Sequence, residues 1–147
     1  MSGRLLLLAA ATTGLASIDL LVKDVLPTAT WAFHHRSNAW VAGSIGLLLA
    51  ATALSRVPSR LVAFAGGVMS AGVLGNLVSA RANANWVPNP FTIHSGRYWL
   101  AFNLADVFFL AGNLLLMAAL IGVAVERRRR LAPPRAWERA LFRRLRS

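Results

Sequence analysis

The sequence predicts an all-α membrane protein with four transmembrane helices and both termini in the cytoplasm. Three observations carry this. The chain holds four long apolar runs, its Arg residues fall at alternate ends of them, and its mean hydropathy is +0.55. At 56% hydrophobic residues over 147 positions, it is too apolar for a typical soluble domain of this length.

A helix crosses the hydrocarbon in roughly 20 residues. The runs are read as Leu5 to Val22, Ala39 to Leu54, Leu61 to Ser79 and Trp99 to Val125. The second is short at its inner end. The start of the chain, Met1 to Ala11, resembles a signal peptide, with Gly14-Leu15-Ala16 as a crude cleavage site. The apolar run continues to Val22, longer than a signal core, so an uncleaved first helix is expected.

Arg56 and Arg60 flank Val57-Pro58-Ser59, a tight turn between the second and third runs. That turn, Arg4 and the Arg-rich end share one side of a four-span protein, and the positive-inside rule makes it the cytoplasm. Two segments then face outward, Lys23 to Asn38 and Ala80 to Tyr98. Both are rich in aromatics suited to the membrane interface. Pro88 and Pro90 favour extended backbone, so a short strand or cap is expected in either segment.

The net charge is +11, and Glu126 to Ser147 holds nine Arg and two Glu, hence +7 of it. Beside a membrane helix such a block is a topology signal, and then an attraction to anionic lipid. Nucleic acid is excluded as a partner, because no aromatic platform or reading helix accompanies the charge. Trp137, Leu141 and Leu145 fall at helical spacing with Arg on the other faces, the pattern of a basic amphipathic helix on the inner membrane surface. The expected division is therefore a transmembrane domain over 1–125 and an Arg-rich tail over 126–147. With no cysteines, there is no disulfide, thiolate metal site or cysteine nucleophile. Neither a metal site nor a cofactor is expected. Fifteen Arg against one Lys, with abundant Ala, suggests a GC-rich bacterial genome.

Acids are scarce: none lies between Asp24 and Asp106. An acid within an apolar run is costly in a bilayer and persists where it faces a polar interior or does chemistry. Asp106 is thus the first candidate for function. Asn103, Asp106, Leu110 and Asn113 are spaced three, four and three and are expected to share a helix face. Asp19 and Lys23 form an i, i+4 pair near the outer end of the first helix. The third run carries Gly67, Ala71, Gly75 and Ser79 at intervals of four, a stripe for close helix packing, with Gly72 and Asn76 beside it.

These residues resemble a known family, the lipoprotein signal peptidases (signal peptidase II). Phe102-Asn103-Leu104-Ala105-Asp106 fits that family's F-N-x-A-D. Ala71 to Val78 resembles its G-G-x-x-G-N-x-x segment, and Asp19-Leu20-Leu21-Val22-Lys23 its D-Q-x-x-K. The resemblance runs from about Ala16 to Gly122. It implies a four-helix fold in the bacterial inner (cytoplasmic) membrane, with Asp106 as one half of an aspartic catalytic dyad. It implies supporting or substrate-facing roles for Asp19, Lys23, Asn76, Ser79 and Asn103.

The chain also departs from the pattern. The family's G-N-x-x is followed by D-R, but here Ser79 and Ala80 follow, with Arg81 one step late. The family's second aspartate lies in a V-x-D-F segment. Aligning on Val87, Phe91 and His94 puts Asn89 in its place. The Asn-rich turn before helix two is only echoed in Arg36-Ser37-Asn38-Ala39-Trp40. In an aspartic dyad one carboxyl acts as base toward water and the other polarises the scissile carbonyl. An amide does neither. The expectation is a degenerate member, a pseudoenzyme that binds membrane lipid, a lipoprotein or another membrane protein. The alternatives are an active aspartic-type peptidase cleaving prolipoprotein signal peptides, or a small accessory subunit of a membrane complex. Ser79 with Lys23, or His94 as a base, offers a different nucleophilic chemistry with nothing in the sequence to fix its geometry.

Overall fold

A computed structural model describes residues 2–130. The helical part of the tail expected beyond Arg130 lies outside the described residues. Four helices are present: α1 (Ser2–Val25), α2 (Asn38–Leu54), α3 (Arg60–Ala82) and α4 (Leu104–Arg130). By length and composition α1, α3 and α4 can each cross a membrane, whereas α2, at 17 residues, is a shorter apolar helix.

The ends of the helices follow from local chemistry. Ser37 caps α2, its side chain accepting from Trp40 N at 3.2 Å. Ser59 caps α3 by accepting from Val62 N at 3.3 Å, after Pro58 has broken the run. Helix four begins at Leu104, not at Trp99 as the hydropathy suggests. Tyr98–Phe102 is a β-strand, β4, and Asn103 supplies the helix cap. An apolar run cannot by itself distinguish strand from helix.

The segments that follow α1 and α3 form two small sheets, so the fold is not purely helical. β1 (Phe33–His35) pairs antiparallel with β2 (Trp86–Pro88), His34 opposite Val87. β3 (Phe91–Ser95) and β4 form a hairpin, Phe91 opposite Phe102, closed by a two-residue loop in which Gly96 takes φ +60°. That backbone favours glycine. Ala84 and Asn85, at φ 50° and 69°, turn the chain back from α3 into β2. Pairing β1 with β2 brings the loop after α1 against the segment after α3. This closes the outer end of the bundle over the polar positions of α3 and α4.

Helix three is central: 72% of its apolar window is buried, against 22% for α1 and 17% for α4. Small residues make this possible. A Cβ on Gly67 would lie 2.7 Å from Ala11 Cβ and 2.8 Å from Leu8 O of α1. On Gly72 it would meet Ala105 O and Phe109 N of α4, and on Gly112 it would meet the backbone of Met69. Thr12 Oγ1 of α1 also donates to Gly67 O at 3.2 Å. Away from the sheets, the core is Ala51, Val62, Ala65, Met69, Leu116 and Ala119. Arg4 Nε ties the start of α1 to Ser55 O at 3.1 Å.

Candidate functional site

A chain of polar side chains crosses the end of the bundle where α1 and α3 finish and α4 begins. It starts at the Asp19–Lys23 pair, whose Oδ2–Nζ separation is 2.7 Å and whose side chains are buried. The other oxygen, Asp19 Oδ1, accepts from Ala105 N at the start of α4 at 2.8 Å. Gly75 makes room for this carboxylate, since a Cβ there would press on Asp19 Oδ2. Lys23 Nζ donates to Asn76 Oδ1 at 2.8 Å, and Asn76 Nδ2 donates to Asp106 Oδ1 at 2.9 Å. The amide of Asn76 thus links a cation on α1 to an anion on α4.

Asp106 and Asn103 cap α4 reciprocally. Asp106 N donates to Asn103 Oδ1 at 3.0 Å, and Asn103 N donates to Asp106 Oδ2 at 3.1 Å. This is a capping box with Asp in the position usually held by Glu. It satisfies two backbone donors and places negative charge at the positive end of the helix. Asp106 therefore has a structural role whether or not it does chemistry. Each carboxylate oxygen still has a lone pair for a further donor.

The cap also sets the direction of the rest of the chain. Because Asp106 N can only donate, Asn103 presents Oδ1 to it and Nδ2 outward. Asn103 Nδ2 then donates to Pro88 O at 3.3 Å and to Asn89 Oδ1. This leaves Asn89 Nδ2 to face His34 Nδ1 at 3.0 Å. His34 accepts at Nδ1 in this arrangement, so its proton resides on Nε2. Asn89 and Asn103 are both 0% exposed. Asn76, Asn89, Asn103 and Asp106 converge, with Asn103 bonded to both Asn89 and Asp106.

Two cavities border this network. One, of about 230 Å³, lies between α2, α3 and α4 and is lined by Arg36, Trp40, Ser44, Asn76, Asp106 and Phe109, together with Gly72 and Val73. Asp106 is its only carboxylate, and Asn89 is not part of its wall. The second, of about 370 Å³, lies on the α1 side and includes Lys23, Asp24, Ser79, Asn83 and Pro88. Ser79 and Lys23 share this space, but the hydrogen bonds of Lys23 Nζ go to Asp19 and Asn76. His94 lies on the outer hairpin, stacked on Trp99 at 4.2 Å.

Asp106, Leu110 and Asn113 share a face of α4, but it is not the buried one: Leu110 is 63% exposed, and Asn113 Nδ2 donates to Phe109 O of its own helix at 2.8 Å. The buried stripe of α4 runs through Ala105, Gly112, Leu116 and Ala119. Asn103 precedes the helix as its cap. Sequence reasoning also missed His34, Arg36 and Ser44. Their participation depends on the β1–β2 pairing and on the seat of α2, for which no local pattern exists. The echo in Arg36 to Trp40 was the one available signal.

No family model matches this chain. Two curated relatives do, both lipoprotein signal peptidases. That of Methylocella silvestris is 40% identical over 79 residues, covering 50% of this chain and 46% of the relative. That of Beijerinckia indica is 40% identical over 72 residues, covering 48% and 42%. The chain thus spans about half the length of the curated relatives it matches. Among solved structures, a bacterial membrane enzyme determined by the in meso method at 2.3 Å resolution superposes with a TM-score of 0.60. That match covers 83% of this chain and 89% of the other at 16% identity, a likeness of fold alone. Over about half its length, then, the chain is similar to lipoprotein signal peptidases, and the residues that resemble that family's motifs gather at one end of the bundle.

Proposed function

We propose that this protein is a catalytically degenerate, signal peptidase II-like binding protein of the bacterial inner membrane. It holds a lipid, a lipoprotein or a segment of a membrane protein in the cavity beside Asp106 without cleaving it. In this reading the chain spans the membrane four times with both termini in the cytoplasm. Residues 1–125 form the transmembrane domain, and 126–147 a basic helix on the inner surface. Asp19, Lys23, Asn76 and Asn103 hold Asp106 in place, and Ser79 supports the α1 side.

The observation that carries this reading is the state of Asn89. It stands where the related enzymes' second aspartate would align, it is fully enclosed, and both ends of its amide are engaged by Asn103 and His34. Asp106 is then the single carboxylate facing the cavity. Hydrolysis by a dyad needs a base and an acid in proton-sharing contact, and one carboxylate with an amide supplies only the first.

Complementation of a strain depleted of its own lipoprotein signal peptidase tests this. The native chain is expected not to rescue growth. Rescue that disappears in Asp106→Ala would restore an active peptidase. Rescue by Asn89→Asp alone would show that the missing acid is the defect. For topology, single cysteines are introduced at Ser59 and Ser95 of this cysteine-free chain. A membrane-impermeant thiol reagent added outside cells is expected to label position 95 and not 59, and the reverse pattern would overturn the orientation.

A further inference from the structure

The charges of this chain are divided unequally between the two ends of the bundle. At the end that holds the polar network, Lys23, Arg36, Arg81 and Arg97 stand against Asp19, Asp24 and Asp106. At the other end, among the described residues, Arg4, Arg56, Arg60 and Arg127 to Arg130 stand against Glu126 alone. There α1 and α3 begin and α2 and α4 finish, and Arg4 Nε is tied to Ser55 O at 3.1 Å. Arg56, Arg60, Arg127 and Arg128 are exposed. Like charges gathered at one end repel one another, and one carboxylate does not offset them.

The same end has a place for a counter-ion. A cavity of about 270 Å³ is lined by Pro58 and Ser59 from the turn between α2 and α3, and by Val123, Glu126 and Arg127 from α4. Arg56 and Arg60 flank Pro58 and Ser59 in the chain. Ser59 Oγ accepts from Val62 N, which leaves its hydroxyl proton to donate. Glu126 is the single carboxylate of this wall, and it is itself engaged by a partner.

The surroundings decide which anion fits. A guanidinium pairs with phosphate through parallel N–H···O bonds. Leu61 and Phe64 of α3, and Ile121 and Val125 of α4, are exposed apolar side chains within about two helical turns of the cavity. A free phosphate makes no use of such surface. A phospholipid lays its chains along it and keeps its phosphate at the ends of the helices.

We infer that this cavity and its arginines hold the phosphate of an anionic phospholipid, with Arg60 and Arg127 meeting the headgroup. The site is separate from the cavity beside Asp106 and from the tail beyond Arg130. It rests on the membrane-spanning reading above and not on the state of Asn89.

The test uses the full chain in a neutral detergent, with dissociation constants measured for dioleoylphosphatidylglycerol and dioleoylphosphatidylcholine. The native chain is expected to bind phosphatidylglycerol at least about tenfold more tightly. Each arginine beside an anionic headgroup contributes about fivefold. Arg60→Gln with Arg127→Gln should therefore weaken phosphatidylglycerol by at least about tenfold and leave phosphatidylcholine unchanged. Arg139→Gln with Arg143→Gln, in the tail, should change neither.

Equal affinity for the two lipids would overturn the inference, as would an unchanged affinity for phosphatidylglycerol in Arg60→Gln with Arg127→Gln. A preference lost only in the tail variant would assign the lipid to the tail instead. Displacement by an equal concentration of inorganic phosphate would assign the cavity to a soluble anion. A further measurement needs only the native chain, should the double variant not fold. A photoactivatable phosphatidylglycerol, with its diazirine beside the glycerol, is expected to mark residues 56–64 and 120–127, and marks confined to other residues would overturn the site. In detergent the assay does not depend on orientation, so its failure sinks this inference alone. Labelling of position 59 from outside cells sinks the orientation alone.

Discussion

The seams that join α3 to α1 and α4 differ sharply from the one that joins it to α2. Along the first two, glycines carry the contact. Gly67 faces the α1 backbone, and Gly72 and Gly112 let α3 and α4 touch backbone to backbone. Along α2 no glycine of the helix stands at the contact: Gly43 and Gly46 are exposed, Ser44 and Ala51 are its buried residues, and a cavity separates the helix from Asn76 and Asp106. Both kinds of seam are built from small and apolar residues, yet only two of the three are closed. The closed seams fix the polar network in one geometry, and the open one leaves it reachable. In a membrane, where apolar surface is as comfortable against lipid as against protein, close packing and hydrogen bonds decide which helices associate. The site is therefore approached from the α2 side.

Breaking a closed seam should have the largest effect. Gly72→Leu forces side-chain atoms into Ala105 O and Phe109 of α4, and neither backbone can yield without moving the helix start that Asn103 and Asp106 cap. The expected loss is about 3 kcal/mol or more, the upper range for overpacking. Thermal unfolding in detergent micelles would read it, with loss of monodisperse protein as the extreme. A variant as stable as the native chain would mean that the α3–α4 seam is not as closed as described.

The polar network should come next. Lys23→Met leaves Asp19 buried without its cation and removes a donor from Asn76. Removing one partner of a buried pair costs about 3–5 kcal/mol, whereas removing both often costs much less. Lys23→Met is thus expected to be severely destabilised, and Lys23→Met with Asp19→Leu to recover part of the loss. The double variant does not recover fully, because Asp19 also accepts from Ala105 N. Additive losses in the double variant would show that the two residues act independently.

This contrast explains what the sequence made legible. Asp19 and Lys23 could be paired from i, i+4 spacing, and the small stripe of α3 from its period of four, because helical geometry is local. Asn76, Asn103 and Asp106 stood out as polar groups in apolar runs, where position alone is costly. The closed seams were therefore readable. The strands were readable only in part: extended backbone was expected in the two segments that hold β1, β2 and β3, but Tyr98–Phe102 is as apolar as the helix it precedes, and only its partner Phe91–Ser95 makes it a strand. Arg36 and Ser44 were hidden for a related reason. Both reach the cavity only through the β1–β2 pairing and the seat of α2, and long-range placement of that kind leaves no mark on a sequence.

The smallest effect is expected on the exposed face of α2, away from any seam. Gly46→Ala adds a methyl group to α2 where no atom lies within 4 Å. No strain opposes it, and alanine loses less backbone freedom on helix formation than glycine does. Unfolding should shift by no more than about 0.5 kcal/mol, toward greater stability. Read beside Gly72→Leu in the same detergent, this sets a glycine that carries a helix contact against one that faces away from the bundle. A marked destabilisation by Gly46→Ala would mean that the exposed face of α2 is packed against something after all. A neutral or slightly stabilising result confines the glycine requirement of this bundle to the positions where α3 meets α1 and α4.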